Sequence, residues 1–199
     1  MELIVISNPM AVADENIIIN KLFMAGLKCF HIRKPESDFQ TIKELLNGIA
    51  PCFYERIALH QFHEMASDFG INRLHYTESE RIQSNPQQWQ LQVEKGFILS
   101  TSIHDTTLLP QLKYFEYVFY GPVFNSLSKP GYQSKLTADF RLDRHSIKPK
   151  IIALGGVEAS NLIKVKAMNF DGAAVLGTLW NEPDKAVERF TQLKEKLAA

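Results

Sequence analysis

Three clusters in the 199-residue chain carry groups suited to anions. Ser126, Ser128 and Lys129 fall within "YGPVFNSLSKPG", straight after an apolar run. Two hydroxyls and an ammonium on one short loop can hold an anion through several charge-assisted hydrogen bonds. Arg33 follows His31 by two positions in "FHIR", and its planar fork matches phosphate oxygens in pairs. Gly155-Gly156 and Gly177-Thr178 follow two further apolar runs. A bare glycine lets an oxygen approach backbone N–H groups, and a helix start attracts phosphate. Together these clusters suit a ligand with two anionic ends, such as a diphosphate and a separate phosphate. Each also has a plainer reading. The glycines then serve tight turns, Arg33 pairs with Glu36 at the surface, and Lys129 is a solvated loop lysine. Histidine adds a second chemistry, since imidazole titrates near neutral pH and can act as a general base. His31, His60 and His104 are the candidates. His60 and His63 stand three apart with Glu64 adjacent. Zinc sites usually need three protein ligands, so that spacing alone is weak evidence for a transition metal.

These residues need a scaffold that gathers them. "ELIVIS", "KCFHIR", "RIALH", "NRLHY", "FILSTS", "EYVFYG", "KIIALGG" and "GAAVLG" read as eight short strands. Most are separated by helical patterns. Asp14 can cap a helix carrying Ile17, Ile18, Leu22 and Ala25. Ser37 or Asp38 can cap one carrying Phe39, Ile42, Leu45, Leu46 and Ile49. A last helix beginning at Pro183 carries Ala186, Val187, Phe190, Leu193 and Leu197. The Gln-rich stretch 78–95 is broken by Asn85-Pro86 and reads as irregular with one short helix. Strands that are apolar throughout are buried on both faces. Eight alternating β and α units predict a parallel, closed (β/α)8 TIM barrel occupying 1–199 as a single domain. In such a barrel the site lies at the carboxyl ends of the strands. Those ends carry His31 and Arg33, then His60 and Gln61, then Thr77, Glu78 and Glu80, then Ser102 and His104, then the serine–lysine loop and the two glycine turns.

Lys plus Arg equals Asp plus Glu at 22 each. A neutral surface gives no electrostatic reason to expect nucleic acid or an anionic membrane as partner. No apolar run approaches a membrane span, and Met1 is followed by a strand-like run rather than a secretory signal. The expectation is a cytoplasmic protein acting on small molecules. Cys29 and Cys52, the only cysteines, sit among apolar residues and read as reduced packing cysteines. Trp180 and Phe190 read as apolar residues available to a partner subunit, making a homodimer possible, or as cover for the barrel.

"YVFYGPVFNSLSKPG", "IIALGGV", "FDGAAVLGTLW", "FHIRKP" and the Ser-x-His of "STSIH" resemble thiamine phosphate synthase and its relatives, the thiazole tautomerases. The likeness runs from "LIVIS" to "GTLW". It implies thiamine biosynthesis, in which a pyrimidine methylene diphosphate loses pyrophosphate and a thiazole phosphate captures the carbon. It implies that Arg33, Ser126, Ser128 and Lys129 hold the diphosphate together with Mg2+, that Ser102 helps position it, and that Gly155, Gly156, Gly177 and Thr178 take the thiazole phosphate. Serine replaces threonine twice in the hydroxyl–x–hydroxyl–Lys run. His31 stands where the synthases usually have Gln and the tautomerases often have His. Pro35 replaces a Lys, with Lys34 adjacent as a substitute. His60-Gln61 replaces Asn-Asp, altering pyrimidine recognition and removing a carboxylate from the metal site; a neutral amide is a poor substitute there. The second acidic metal ligand falls on Glu80. Two other readings share the phosphate site. One is a metal-independent thiazole tautomerase, although Pro122 stands where that group often carries its basic histidine. The other is a paralogue that binds thiazole or thiamine phosphate without turnover.

Overall fold

The computed structural model describes residues 1–125, 136–137, 139–143 and 148–198. Eight parallel strands close on themselves in chain order. They are β1 (Glu2–Ile6), β2 (Cys29–Ile32), β3 (Ile57–Leu59), β4 (Arg73–Tyr76), β5 (Ile98–Ile103), β6 (Phe115–Tyr120), β7 (Lys150–Leu154) and β8 (Gly172–Val175). The ring closes where β1 pairs with β8, Leu3 opposite Ala173 and Val5 opposite Val175. Around it lie α1 (Glu15–Met24), α2 (Phe39–Asn47), α3 (Ala66–Phe69), α4 (Glu78–Gln83), α5 (Pro86–Glu94), α6 (Leu162–Ala167), α7 (Gly177–Trp180) and α8 (Ala186–Ala198). This is the (β/α)8 barrel that the alternation of patterns predicts. No helix among the described residues is long and apolar enough to cross a membrane.

Strand side chains alternate between faces, and the core divides accordingly. Val5, Phe30, Ile32, Leu59, Leu74, Leu99, Val118 and Ile151 point out to the helices and join the larger apolar cluster. Ile4, Ile6, Cys29, Tyr117, Phe119, Ile152 and Ala174 fill the barrel itself. That interior cluster is smaller because polar side chains occupy the rest of the lumen. Trp180 and Phe190, at 4% and 2% exposure, cover the barrel and do not face solvent; the Trp180 indole N–H donates to the Ile6 carbonyl at 2.7 Å. Cys29 is buried and Cys52 exposed, both as free thiols, so only Cys29 is a packing cysteine.

The stretch 78–95 departs from expectation: it forms two helices. Thr77 and Glu80 make a reciprocal capping box that starts α4. The Asn85 side chain accepts from Gln88 N–H, and Pro86 takes the first turn of α5, where a missing N–H costs nothing. The Asn-Pro pair that reads as an interruption is a helix start. Asp38 rather than Ser37 caps α2, accepting from Thr41 N–H at 2.8 Å. Asp14 precedes α1 with φ 54° and makes no side-chain cap. The segment after Asp105 is a 3-10 helix, Thr106–Gln111, that contains Pro110.

Candidate active site at the carboxyl ends of the strands

Because β2 has a period of two, His31 faces inward beside Cys29. His60 follows β3 and His75 stands third in β4 on the same inward face. The three rings meet in the lumen. His31 Nδ1 lies 2.9 Å from His60 Nε2, and His31 Nε2 lies 2.7 Å from the Tyr117 hydroxyl. His75 Nδ1 reaches Ser100 Oγ at 2.9 Å, and its Nε2 reaches Ser102 Oγ at 3.2 Å. The His60 and His75 rings stack with centroids 4.0 Å apart. All three are buried. Burial, with the positive charge of Arg73 below, pushes His31 down to about 3. Burial first, and then the neighbouring basic groups, holds His60 and His75 well below the usual imidazole range. The lumen floor is therefore a set of neutral imidazoles and hydroxyls, able to donate and accept hydrogen bonds but poor at taking a proton near neutral pH.

Above this floor stands Arg33. Its backbone is clasped to β1, since Arg33 N–H donates to Ser7 Oγ at 2.8 Å and the Ser7 hydroxyl donates to the Arg33 carbonyl at 3.0 Å. The residue is half-buried. Its charge acts on both His60 and His75, so the guanidinium lies within electrostatic reach of the ring cluster. It makes no ion pair with Glu36 among the described residues. Ser102 reaches the same cluster through His75.

The neighbours expected to help are engaged elsewhere. Lys34 is 2% exposed; its ammonium donates to Glu15 at 2.5 Å and to the Met10 carbonyl at 2.7 Å, which takes it out of the site. Gln61 holds the β2 end to the β3 end. Its Oε1 accepts from Lys34 N–H at 3.1 Å, and its Nε2 donates to the Lys34 carbonyl at 2.6 Å. Glu80 closes the capping box, with Oε2 accepting from Thr77 N–H at 2.8 Å and from the Thr77 hydroxyl at 2.7 Å. His63 Nε2 faces the Leu59 and His75 carbonyls. His104 Nδ1 is hydrogen-bonded to the Gly121 carbonyl, and its Nε2 lies 3.8 Å from Glu78.

On the far wall the glycine turns come together. Gly155 and Gly156 have φ of 96° and 64°. A Cβ on Gly155 would lie 2.9 Å from Pro122 Cα, and one on Gly156 would lie 2.4 Å from the Asn125 carbonyl oxygen. The segment after β6 lies directly against this turn: Val123 N–H donates to the Leu154 carbonyl and Phe124 N–H to that of Gly155. Gly177 opens α7, and the Thr178 hydroxyl donates to the Val157 carbonyl at 2.6 Å, tying the two turns together. Ser126, Ser128 and Lys129 lie outside the described residues.

The residues present do not fit the Mg2+ that the resemblance implies. Mg2+ demands hard oxygen donors, usually one or two carboxylates. Gln61 has spent its amide on Lys34, Glu80 has an oxygen in the helix cap, and Glu78 leans on Arg81 at 3.3 Å. A cavity of about 780 Å³ at the opposite, amino-terminal end of the barrel is lined by Glu2, Arg73, Lys150 and Phe190. It is remote from these strand ends and is not the site.

The structure thus brings together His31, His60, Ser102 and Arg33, and separately Gly155, Gly156, Gly177 and Thr178. It adds His75, Ser100 and Tyr117, which the reading of the sequence did not single out. Inward parity was the available signal, because His75 and Ser100 are paired in register on adjacent strands.

A family model described as thiamine monophosphate synthase matches residues 3–179. The crystal structure of thiamine phosphate pyrophosphorylase from Bacteroides thetaiotaomicron superposes with a TM-score of 0.79 at 27% identity, covering 100% of this chain and 98% of that one. The pyrophosphorylase from Pyrococcus furiosus gives a TM-score of 0.79 at 15% identity, over 99% and 95% of the two chains, and speaks for the fold alone. Thiamine-phosphate synthase from Clostridium tetani is 31% identical over 78 residues, or 38% of this chain. That match spans 37% of the relative's length. With a family match running from the first strand to the turn after the eighth, the chain belongs to the thiamine monophosphate synthase family.

Proposed function

We propose that the protein is a transferase of the thiamine phosphate synthase type. It would join a hydroxymethylpyrimidine diphosphate to a thiazole phosphate and release pyrophosphate. The observation that carries this reading is the Arg33 guanidinium, unpaired among the described residues, above a floor of neutral donors in a chain of this family. The bond from the pyrimidine methylene carbon to diphosphate oxygen breaks, and both electrons leave with pyrophosphate. The thiazole nitrogen lone pair then forms the new bond to that carbon. Charge gathers on the departing oxygens, and a fixed guanidinium facing them favours the transition state over the ground state. In this reading Lys129, Ser126 and Ser128 supply the second arm of the clamp, and Ser102 orients the diphosphate. His31 and His60 hydrogen-bond the pyrimidine. Gly155, Gly156, Gly177 and Thr178 receive the thiazole phosphate. The tautomerase reading is weaker, because burial lowers His31 and His60 from the usual imidazole range and Pro122 stands where that group often carries its basic histidine.

Incubation with both heterocycles, with Mg2+ supplied, tests the reading. Thiamine phosphate should form, and Arg33→Ala and Lys129→Ala should each lower kcat by about 100-fold with the melting temperature little changed. Equal loss of activity and stability would make these residues structural. Absence of product with thiazole phosphate binding intact would favour the non-catalytic paralogue, and proton exchange on thiazole phosphate would favour the tautomerase.

A further inference from the structure

The polar lumen is costly to build, and its composition is unlike that of an ordinary barrel interior. Branched apolar side chains usually fill such a space. Here three imidazoles from β2, from the end of β3 and from β4 occupy it. One ring nitrogen of each of His31, His60 and His75 lies within 4.8 Å of the other two. Two of the rings are oriented by oxygens outside the trio, His31 through the Tyr117 hydroxyl and His75 through Ser100. A partner on the outer nitrogen is the device that fixes a metal-binding imidazole. His60 is 5% exposed, and its Nδ1 is buried with no hydrogen-bond partner. A lumen meant only as a hydrogen-bonded core would satisfy that atom.

We propose that His31, His60 and His75 form a binding site for a divalent transition metal of the Zn2+ class in the barrel lumen, with Ser102 beside the open coordination position. Zn–N bonds of about 2.0–2.1 Å in tetrahedral geometry set the nitrogens about 3.4 Å apart. The trio's nitrogens, within 4.8 Å of one another, draw together around the ion, and the 2.9 Å His31–His60 contact gives way to it. The ligands are nitrogens rather than carboxylates, which selects Zn2+, Co2+ or Cu2+ over Mg2+. The rings need no deprotonation of an imidazolium to bind, since burial keeps them neutral. The trio differs from the His60–His63 pair that the sequence spacing offers; His63 is turned to backbone carbonyls instead. The site shares His31, His60 and Ser102 with the proposed transfer reaction, but metal binding is read without either heterocycle and so fails or stands separately from it.

Full-length protein, stripped with a chelator, is titrated with Co2+ and then Zn2+. The expected result is one equivalent of Co2+ with the strong visible absorption of a four- or five-coordinate centre. Zn2+ should displace it, and a hundredfold excess of Mg2+ should not. His31→Gln and His60→Asn keep amides of similar reach in the lumen and should each weaken binding by at least about 100-fold. His104→Asn, outside the trio, should leave it unchanged. Should either variant fail to fold, paramagnetic Co2+ in the wild-type protein decides, with shifted proton resonances expected from three imidazoles. The proposal is overturned by folded protein that binds no Co2+, by a pale six-coordinate spectrum, by folded variants that still bind tightly, or by fewer than three shifted rings.

Discussion

Gln61 shows how a residue read as a damaged ligand acquires another occupation. Its amide is used in both senses, accepting from Lys34 N–H and donating to the Lys34 carbonyl. A carboxylate could do only the first. Gln61→Asp therefore leaves the Lys34 carbonyl without its donor and should destabilise the fold by about 1–2 kcal/mol. Urea denaturation at pH 7 measures this, and an Asp variant as stable as the wild type would show that the clasp contributes nothing. Neither this role nor that of Lys34 was legible in the sequence. The spacing of "RKP" offers Lys34 as a spare phosphate ligand. Only the fold reveals that Glu15, across α1, lies within 2.5 Å of its ammonium. Burial pushes the Glu15 carboxyl up while Lys34 draws it down, so the pair belongs to the scaffold. Arg33, one residue earlier, has the opposite inward–outward parity and stays at the mouth. A period of two decided which of two adjacent cations faces the site, and that much could be read from the strand pattern alone.

At the level of elements, the barrel was readable because each strand is short, apolar and set off by turn residues. Where the helices depart from the sequence pattern, the departure is local. Asn85-Pro86 carries the same letters whether it ends a helix or begins one, and only α4 ending at Gln83 with α5 following settles it. The glycine turn after β7 has a dual character of the same kind. The sequence offers its two glycines as a place for phosphate oxygens; what the structure shows is a packing duty, because the chain after β6 lies against them. At Gly156 a Cβ would meet the Asn125 carbonyl at 2.4 Å and Phe124 Cβ at 2.8 Å, at a φ of 64°. Backbone cannot yield as a flexible side chain can. Gly156→Ala should therefore cost at least about 2 kcal/mol through strain and clash, and should displace the segment leading into the serine–lysine loop. Thermal melting measures the first effect, and amide exchange at Val123 and Phe124 the second. An alanine variant with wild-type melting and protection would show that the two turns do not lean on each other.

For the whole molecule, the neutral lumen couples stability to pH. Above about pH 6.5, the ordinary imidazole value, both folded and unfolded chains carry these rings uncharged, and His31, His60 and His75 add no pH dependence. Below it the unfolded chain takes up a proton at each position. The folded barrel resists, down to about pH 3 at His31, and well below the usual range at the other two. The unfolded state binds more protons throughout that window, so stability falls as pH falls. Arg33, Arg73 and His63 face the cluster with positive or protonatable groups and deepen the effect. Each ring contributes a slope approaching about 1.4 kcal/mol per pH unit, and three together about 4 kcal/mol. Against a total stability on the order of 5–15 kcal/mol for a domain, a few pH units suffice to unfold the chain. Carboxylates held low in the folded state, such as Asp38 and Asp105, act at more acid pH and do not account for losses that begin near 6. Urea unfolding of chelator-treated protein from pH 7.5 to 4.5 should show stability falling steeply below about 6.5. His31→Gln should flatten that slope by about 1.4 kcal/mol per unit. A stability profile that stays level down to pH 5 would mean that the rings protonate in place within the folded barrel.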